Sequence, residues 1–106
     1  MKKTLSVIVP VYNSAATLRN CIKSINDSTY PNDRMEVILV NNMTKDNSFE
    51  IFSECQAEYD DLKINWLNAK QGKSKALNLA LFNAEGKYII HIDSDGKLDD
   101  KALYNN

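Results

Sequence analysis

The sequence predicts an α/β domain with an open, mostly parallel sheet and flanking helices. Two observations carry that prediction. Short β-branched runs alternate with stretches of helical periodicity along the whole chain, and polar loops follow the apolar runs. Leu5 to Val9 is a strand-length run that stops at Pro10. From Thr17 to Ser28, Leu18, Cys21, Ile22 and Ile25 recur at spacings of three and four, which is one apolar helical face, with Ser14 as its N-cap. Tyr30-Pro31-Asn32-Asp33 reads as a turn, and Met35 to Val40 as a second buried strand. After a polar loop from Asn41 to Asn47, Phe49, Ile51, Phe52 and Cys55 mark a second helix over Ser48 to Glu58. Leu62 to Leu67 alternates apolar and polar residues, as a strand near the sheet edge does. Gly72 precedes a third helix whose stripe is Ala76, Leu77, Ala80, Leu81 and Ala84, with Gly86 expected as its C′ residue. Tyr88 to Ile92 is a fourth strand, and Asp99 to Tyr104 the start of another helix. No internal repeat, linker or low-complexity tract divides the chain.

Composition narrows the function. The 106 residues are 43% hydrophobic and 25% charged, the size and balance of one soluble domain. Thirteen basic against 14 acidic residues leave a net charge of −1, without the basic face a nucleic-acid binder needs. No apolar run approaches the ~18–20 residues of a membrane span, and Pro10 interrupts the short apolar segment that follows Met1-Lys2-Lys3, so no secretory signal is expected. Cys21 and Cys55 lie far apart without CxxC spacing and read as buried thiols of a reducing cytoplasm.

Ligands of open parallel sheets bind at the carboxyl ends of the strands. The sharpest chemical feature there is Asp93-Ser94-Asp95, where a buried strand meets a turn containing Gly96. Two neighbouring carboxylates repel unless a cation sits beside them, and hard oxygen ligands suit Mg²⁺ or Mn²⁺. A solvated acidic turn followed by a helix cap is the alternative reading of an isolated DxD. Lys73 and Lys75 open the third helix, where two ammonium groups and backbone N–H groups favour an anion; a solvated first turn is the alternative. A Tyr12 ring at the end of the first strand can stack on a nucleobase or pack over the first helix. His91 shares an alternating face with Ile89 and Asp93 and is read as a partly buried structural histidine. Trp66 is read as packing rather than as an acceptor platform.

Four segments change the weight of these alternatives. SVIVPVYN (6–13), EVILVNNMTKDNS (36–48), GKSKALNL (72–79) and GKYIIHIDSDG (86–96) stand in this order and spacing. Together they resemble the family 2 glycosyltransferases of GT-A fold, over essentially the whole chain but only the N-terminal, Rossmann-like, nucleotide-binding half of that family's catalytic domain. The resemblance implies that Pro10, Tyr12 and Asn13 flank the base of a nucleotide-sugar donor. Asn41-Asn42-Met43-Thr44 stands where the family usually shows Asp-Asp-Gly-Ser; Asn42 keeps a carbonyl acceptor and adds an amide donor for the base, while the charge is lost. Asp46 is expected to cap the second helix. Lys73 and Lys75 would face the diphosphate, Asp93 the ribose or a metal-bound water, and Asp95 a Mn²⁺ or Mg²⁺ ion directly.

The implied reaction is transfer of a sugar, with inversion, from a donor such as a UDP-sugar to an acceptor hydroxyl of a glycan, a lipid-linked chain or a protein, in polysaccharide or cell-surface glycan synthesis. The carboxylate base of that reaction is expected downstream of residue 106, so residues 1–106 are read as the N-terminal part of the domain and as inactive alone. Two expectations follow: self-association through an uncovered face, and a cytoplasmic location, at the inner face of the membrane if the full-length protein has membrane helices. A non-catalytic nucleotide-binding or interaction module of the same fold is the competing reading, motivated by Asn41-Asn42. A phosphoacceptor receiver domain is disfavoured, because Pro10-Val11-Tyr12-Asn13 lacks an acidic cluster at the first strand's end.

Overall fold

The structure, a computed structural model, describes residues 3–69 and 73–93. Four strands alternate with three helices: β1 (Leu5–Val11), α1 (Ala15–Asn26), β2 (Met35–Asn42), α2 (Ser48–Glu58), β3 (Lys63–Ala69), α3 (Lys73–Asn83) and β4 (Tyr88–His91), with a 3-10 turn at Asn32–Arg34 before β2. All pairings are parallel and the strand order is β3-β2-β1-β4. The predicted α/β class and parallel sheet are therefore observed. The helix expected at Asp99 to Tyr104 lies outside the described residues.

Connection handedness explains the layering. The chain steps from β1 to β2 to β3 in one direction, then returns past β1 to place β4 on its other side. Right-handed crossovers in both directions put α1 and α2 on one face and α3 on the other. Side-chain alternation supplies each layer. Leu5, Val7, Val9 and Val11 of β1 and Met35, Val37 and Leu39 of β2 meet Leu18, Cys21, Ile22 and Ile25 of α1 and Phe52 and Cys55 of α2. Each fully buried aliphatic of α1 contributes about 1.5–3 kcal/mol there. On the opposite face, among the described residues, Ile8, Ile38, Val40 and Ala80 form the buried cluster. The stripe foreseen for α3 thus buries Ala80, while Leu77 and Leu81 remain exposed.

Pro10 does not end β1, which continues to Val11. In a parallel ladder the N–H and C=O of one residue point to the same neighbour, and the Ile8 carbonyl accepts the Ile92 N–H, so the Pro10 nitrogen also faces β4. The last β4 pair is Ile8 with His91, so the missing donor falls where the ladder has already stopped.

Gly86 has a different role from the one expected. Helix α3 ends at Asn83, so Gly86 lies beyond the C′ position. A Cβ there would stand 2.5 Å from the Ser6 nitrogen and 2.7 Å from the Leu5 carbonyl carbon. Glycine is needed because the chain crosses the start of β1 at backbone contact. A buried carboxylate fixes that crossing: Glu36 Oε2 accepts from the Ser6 hydroxyl at 2.6 Å and the Glu85 N–H at 2.6 Å, and Ser6 Oγ accepts from the Gly86 N–H at 2.8 Å.

Candidate active site at the β1–β4 switch point

Reversal of strand order between β1 and β4 leaves an opening at their carboxyl ends, because α1 and α2 leave on one side and α3 on the other. A cleft of about 260 Å³ occupies it. Ile8, Pro10, Val40 and Leu77 form its apolar walls, and Asn42, His91 and Asp93 are its polar groups. Helix α3 returns antiparallel to the strands, so its N-terminus lies at this same end and brings the partial positive charge of its free N–H groups there.

Three sequence-predicted residues, Pro10, Asn42 and Asp93, therefore share one cleft. The others are placed differently. Tyr12 is 63% exposed just past the end of β1 and is not a cleft wall. Asn13 adopts the left-handed region, φ 48°, and ties two loops together: its N–H donates to Thr44 Oγ1 at 2.6 Å and its Oδ1 accepts the Lys45 N–H at 2.8 Å. Lys75 is exposed on α3. Lys73 begins α3, but its side chain lies outside the described residues, as does Asp95.

His91 is a correction. It is exposed and forms part of the cleft, rather than being partly buried as a structural residue. Alternation had placed it on the face of Asp93, which was the available signal. What the pattern did not carry is that α3 packs across β2, with β3 and β1 beside it, and leaves the corresponding face of β4 open.

The loops beside the cleft are held by side chains that mimic turns. Asn41 Oδ1 accepts the Thr44 N–H at 2.8 Å while its Nδ2 donates to Asn68 Oδ1 at 3.0 Å, an oxygen that also accepts from Trp66 Nε1. Asn41 is thus a structural residue, and Asn42 beside it is the one aimed at the cleft. Trp66 packs against Phe49 and Phe52, as expected of a core aromatic. Met43, at φ 62°, occupies a conformation that favours glycine.

Asp46 joins the starts of both helices on the far face. Its Oδ2 accepts the Ala15 N–H at 3.0 Å, and its Oδ1 accepts the Ser48 N–H at 3.0 Å and the Ser48 hydroxyl at 2.6 Å. Ser14 is the N-cap of α1 by position, but its hydroxyl bonds the Tyr12 backbone, and Asp46 supplies the cap instead. Desolvation pushes the Asp46 carboxyl up; the bonds from Ser48 and Ala15 outweigh it and hold the group below the usual carboxylate range.

Among the described residues no three His, Cys, Asp or Glu side chains converge as a metal cage. Mg²⁺ and Mn²⁺ need no such cage, since they take one or two carboxylates and fill the remaining positions with water and substrate phosphate. The exposed carboxylate of Asp93 at the cleft fits that requirement.

Fold and cleft together define a Rossmann-like α/β domain with an open cleft at its topological switch point. The sequence model described as Glycosyl transferase family 2 matches residues 6–105, and the chain belongs to that family. Among similar proteins, Glycosyltransferase AglE of Haloferax volcanii is 33% identical over 91 residues, 86% of this chain and 30% of that protein. The poly(ribitol-phosphate) beta-N-acetylglucosaminyltransferase TarS of Staphylococcus aureus is 30% identical over 99 residues, 92% of this chain and 17% of that protein. Two solved structures superpose closely. Residues 1–349 of S. aureus TarS in complex with UDP give a TM-score of 0.84 at 26% identity, covering 96% of this chain and 30% of that one. The mannosyltransferase PcManGT from Pyrobaculum calidifontis, in complex with GDP-Man and Mn²⁺, gives 0.89 at 28% identity, covering 99% and 31%. The chain spans under a third of the length of these relatives. No helix among the described residues is long and apolar enough to cross a membrane.

Proposed function

We propose that this chain supplies the donor site of a glycosyltransferase: it binds a nucleoside diphosphate sugar, such as a UDP-sugar, in the β1–β4 cleft for transfer to a hydroxyl of a glycan acceptor. The observation that carries this reading is the convergence of Pro10, Asn42 and Asp93 on one cleft at the carboxyl end of the sheet. Asn42 presents both an acceptor and a donor, the pattern needed to read a base edge through adjacent N–H and C=O groups. Pro10 and Val40 provide a flat apolar wall for the base, and the exposed Tyr12 ring a face on which to stack. The N-terminus of α3, with Lys73 and Lys75 in its first turn, favours the diphosphate.

Asp93 and Asp95 are the residues that would hold a Mn²⁺ or Mg²⁺ ion, which when bound neutralises charge on the leaving diphosphate. In the transfer the acceptor oxygen attacks the anomeric carbon, the bond from that carbon to the phosphate oxygen breaks with inversion, and the hydroxyl proton passes to a carboxylate base. No described residue is assigned as that base.

Calorimetric titration with UDP and UDP-sugars, with and without Mn²⁺, tests the reading. Micromolar to millimolar binding that strengthens with Mn²⁺ and weakens in Asp95→Ala supports it. No binding at millimolar nucleotide by folded protein refutes it. Loss of Mn²⁺-independent binding in Asn42→Ala would separately establish the base contact.

A further inference from the structure

Resting on that donor reading, we propose that His91 is a donor-binding residue that hydrogen-bonds the ribose of the bound nucleoside from the floor of the cleft. The strand registers give the cleft its depth. His91 pairs with Ile8, which makes these two the lowest level of the cleft. One level up, Pro10 pairs with Val40, and Asn42 stands two residues beyond Val40 at the rim. Asp93 follows His91 by two residues on the same face, about 6–7 Å toward the mouth.

Side-chain chemistry then assigns the contact. Ile8, Pro10, Val40 and Leu77 offer no hydrogen bond, so His91 is the polar side chain of the floor, between apolar walls. A group there, below Asp93 on β4, meets the part of the ligand that reaches deepest into the cleft between the base, read by Asn42 at the rim over β2, and the diphosphate, held near Asp93 at the mouth. In a nucleotide that part is the ribose. Its hydroxyls are both donors and acceptors, and an imidazole offers one nitrogen of each kind in its neutral form. His91 is exposed in the cleft, and the strand it belongs to is anchored by the Ile92 N–H to Ile8 carbonyl bond at 3.0 Å. A ligand hydroxyl therefore finds a positioned partner without moving the backbone.

The test is a cycle that crosses residue and ligand. Wild type, His91→Phe, which keeps an aromatic ring but no hydrogen bond, and His91→Gln, which keeps a hydrogen bond, are titrated with UDP, 2′-deoxy-UDP and 3′-deoxy-UDP at constant Mg²⁺. Unchanged thermal midpoints confirm that the variants fold. The proposal expects His91→Phe to weaken UDP binding about two- to tenfold, the range of one neutral hydrogen bond, and to leave one of the two deoxy ligands bound as by wild type. His91→Gln should recover part of the loss. His91→Phe binding UDP as wild type does, or losing affinity equally for all three ligands, overturns this inference and leaves the donor reading standing. Wild-type protein that binds none of the three overturns both.

Discussion

Removing the Glu36 carboxylate should cost the domain much of its stability, although the residue lies on the opposite end of the sheet from the cleft. Glu36 is 1% exposed on β2. In Glu36→Ala the Ser6 hydroxyl and the Glu85 N–H lose an acceptor at 2.6 Å each, and Lys63 Nζ loses a carboxylate oxygen at 3.8 Å. Hydrogen bonds to charged groups contribute about 1.5–3 kcal/mol each. The half-exposed Lys63 also pairs with Glu85, so it adds little. The expected loss is about 3–5 kcal/mol, the two bonds to the charged group less the desolvation cost that its removal relieves, out of a total of about 5–15 kcal/mol. Glu36→Gln keeps one oxygen with two lone pairs where both donors point. Charge-assisted bonds are about twice as strong as neutral ones, so this change should cost only about 1–2 kcal/mol. Urea unfolding followed by far-ultraviolet circular dichroism reads both. With a slope near 1–1.5 kcal/mol/M for a chain this small, the alanine variant should lose about 2–5 M in midpoint and the glutamine variant about 0.7–2 M. An alanine midpoint within 0.5 M of wild type, or glutamine as damaging as alanine, would refute the reasoning.

Three further outcomes follow from the geometry. Gly86→Ala forces a methyl against the Ser6 and Leu5 backbone and should destabilise by about 3 kcal/mol, the upper end for overpacking; a loss under about 1 kcal/mol in the same assay would show that β1 yields. Met43→Gly relieves a left-handed φ that costs about 1–2 kcal/mol, less about 0.5–1 kcal/mol of added chain entropy, so the thermal midpoint should rise by on the order of 4 °C. For Asp46 the folded carboxyl sits below its unfolded value near 3.9, so its contribution is fully present above that value and is lost as pH falls through the lower folded one. The stability gap between wild type and Asp46→Asn should therefore be constant from pH 7 to pH 5 and narrow as pH falls below about 3.9; a gap that does not narrow on acidification contradicts the assignment.

Much of this architecture was legible because burial and periodicity coincide. The β-branched runs at Leu5 and Met35 are buried on both faces, and the spacing of Leu18, Cys21, Ile22 and Ile25 matches the face α1 buries. Family motifs made Pro10, Asn42 and Asp93 legible as cleft residues. Less visible were features set by distant backbone. Gly86 looked like a helix stop because glycine serves that purpose often, whereas its cause is β1, 80 positions earlier in sequence. His91 looked internal because its strand is apolar, but only the course of α3 decides which face of β4 is covered. The cap of α1 reads as Ser14 in the sequence and is Asp46 in the structure for the same reason: the acceptor comes from another loop, 31 residues away.

The two-faced sheet has a consequence for how such a domain can change. Residues of the dense core and residues that line the cleft alternate along the same strands: Val7, Val9 and Leu39 on one side, Pro10, Asn42 and His91 on the other. A substitution on the cleft side meets α3's sparse layer or solvent, and leaves the dense layer under α1 and α2 undisturbed. The chemistry of the cleft can therefore change at Asn42 and His91, at the carboxyl ends of β2 and β4, while Ile8, Val40 and the Glu36–Ser6 pair on the same face stay fixed. A library confined to positions 42 and 91 would vary the polar groups of the cleft with little risk of unfolding the protein that carries them.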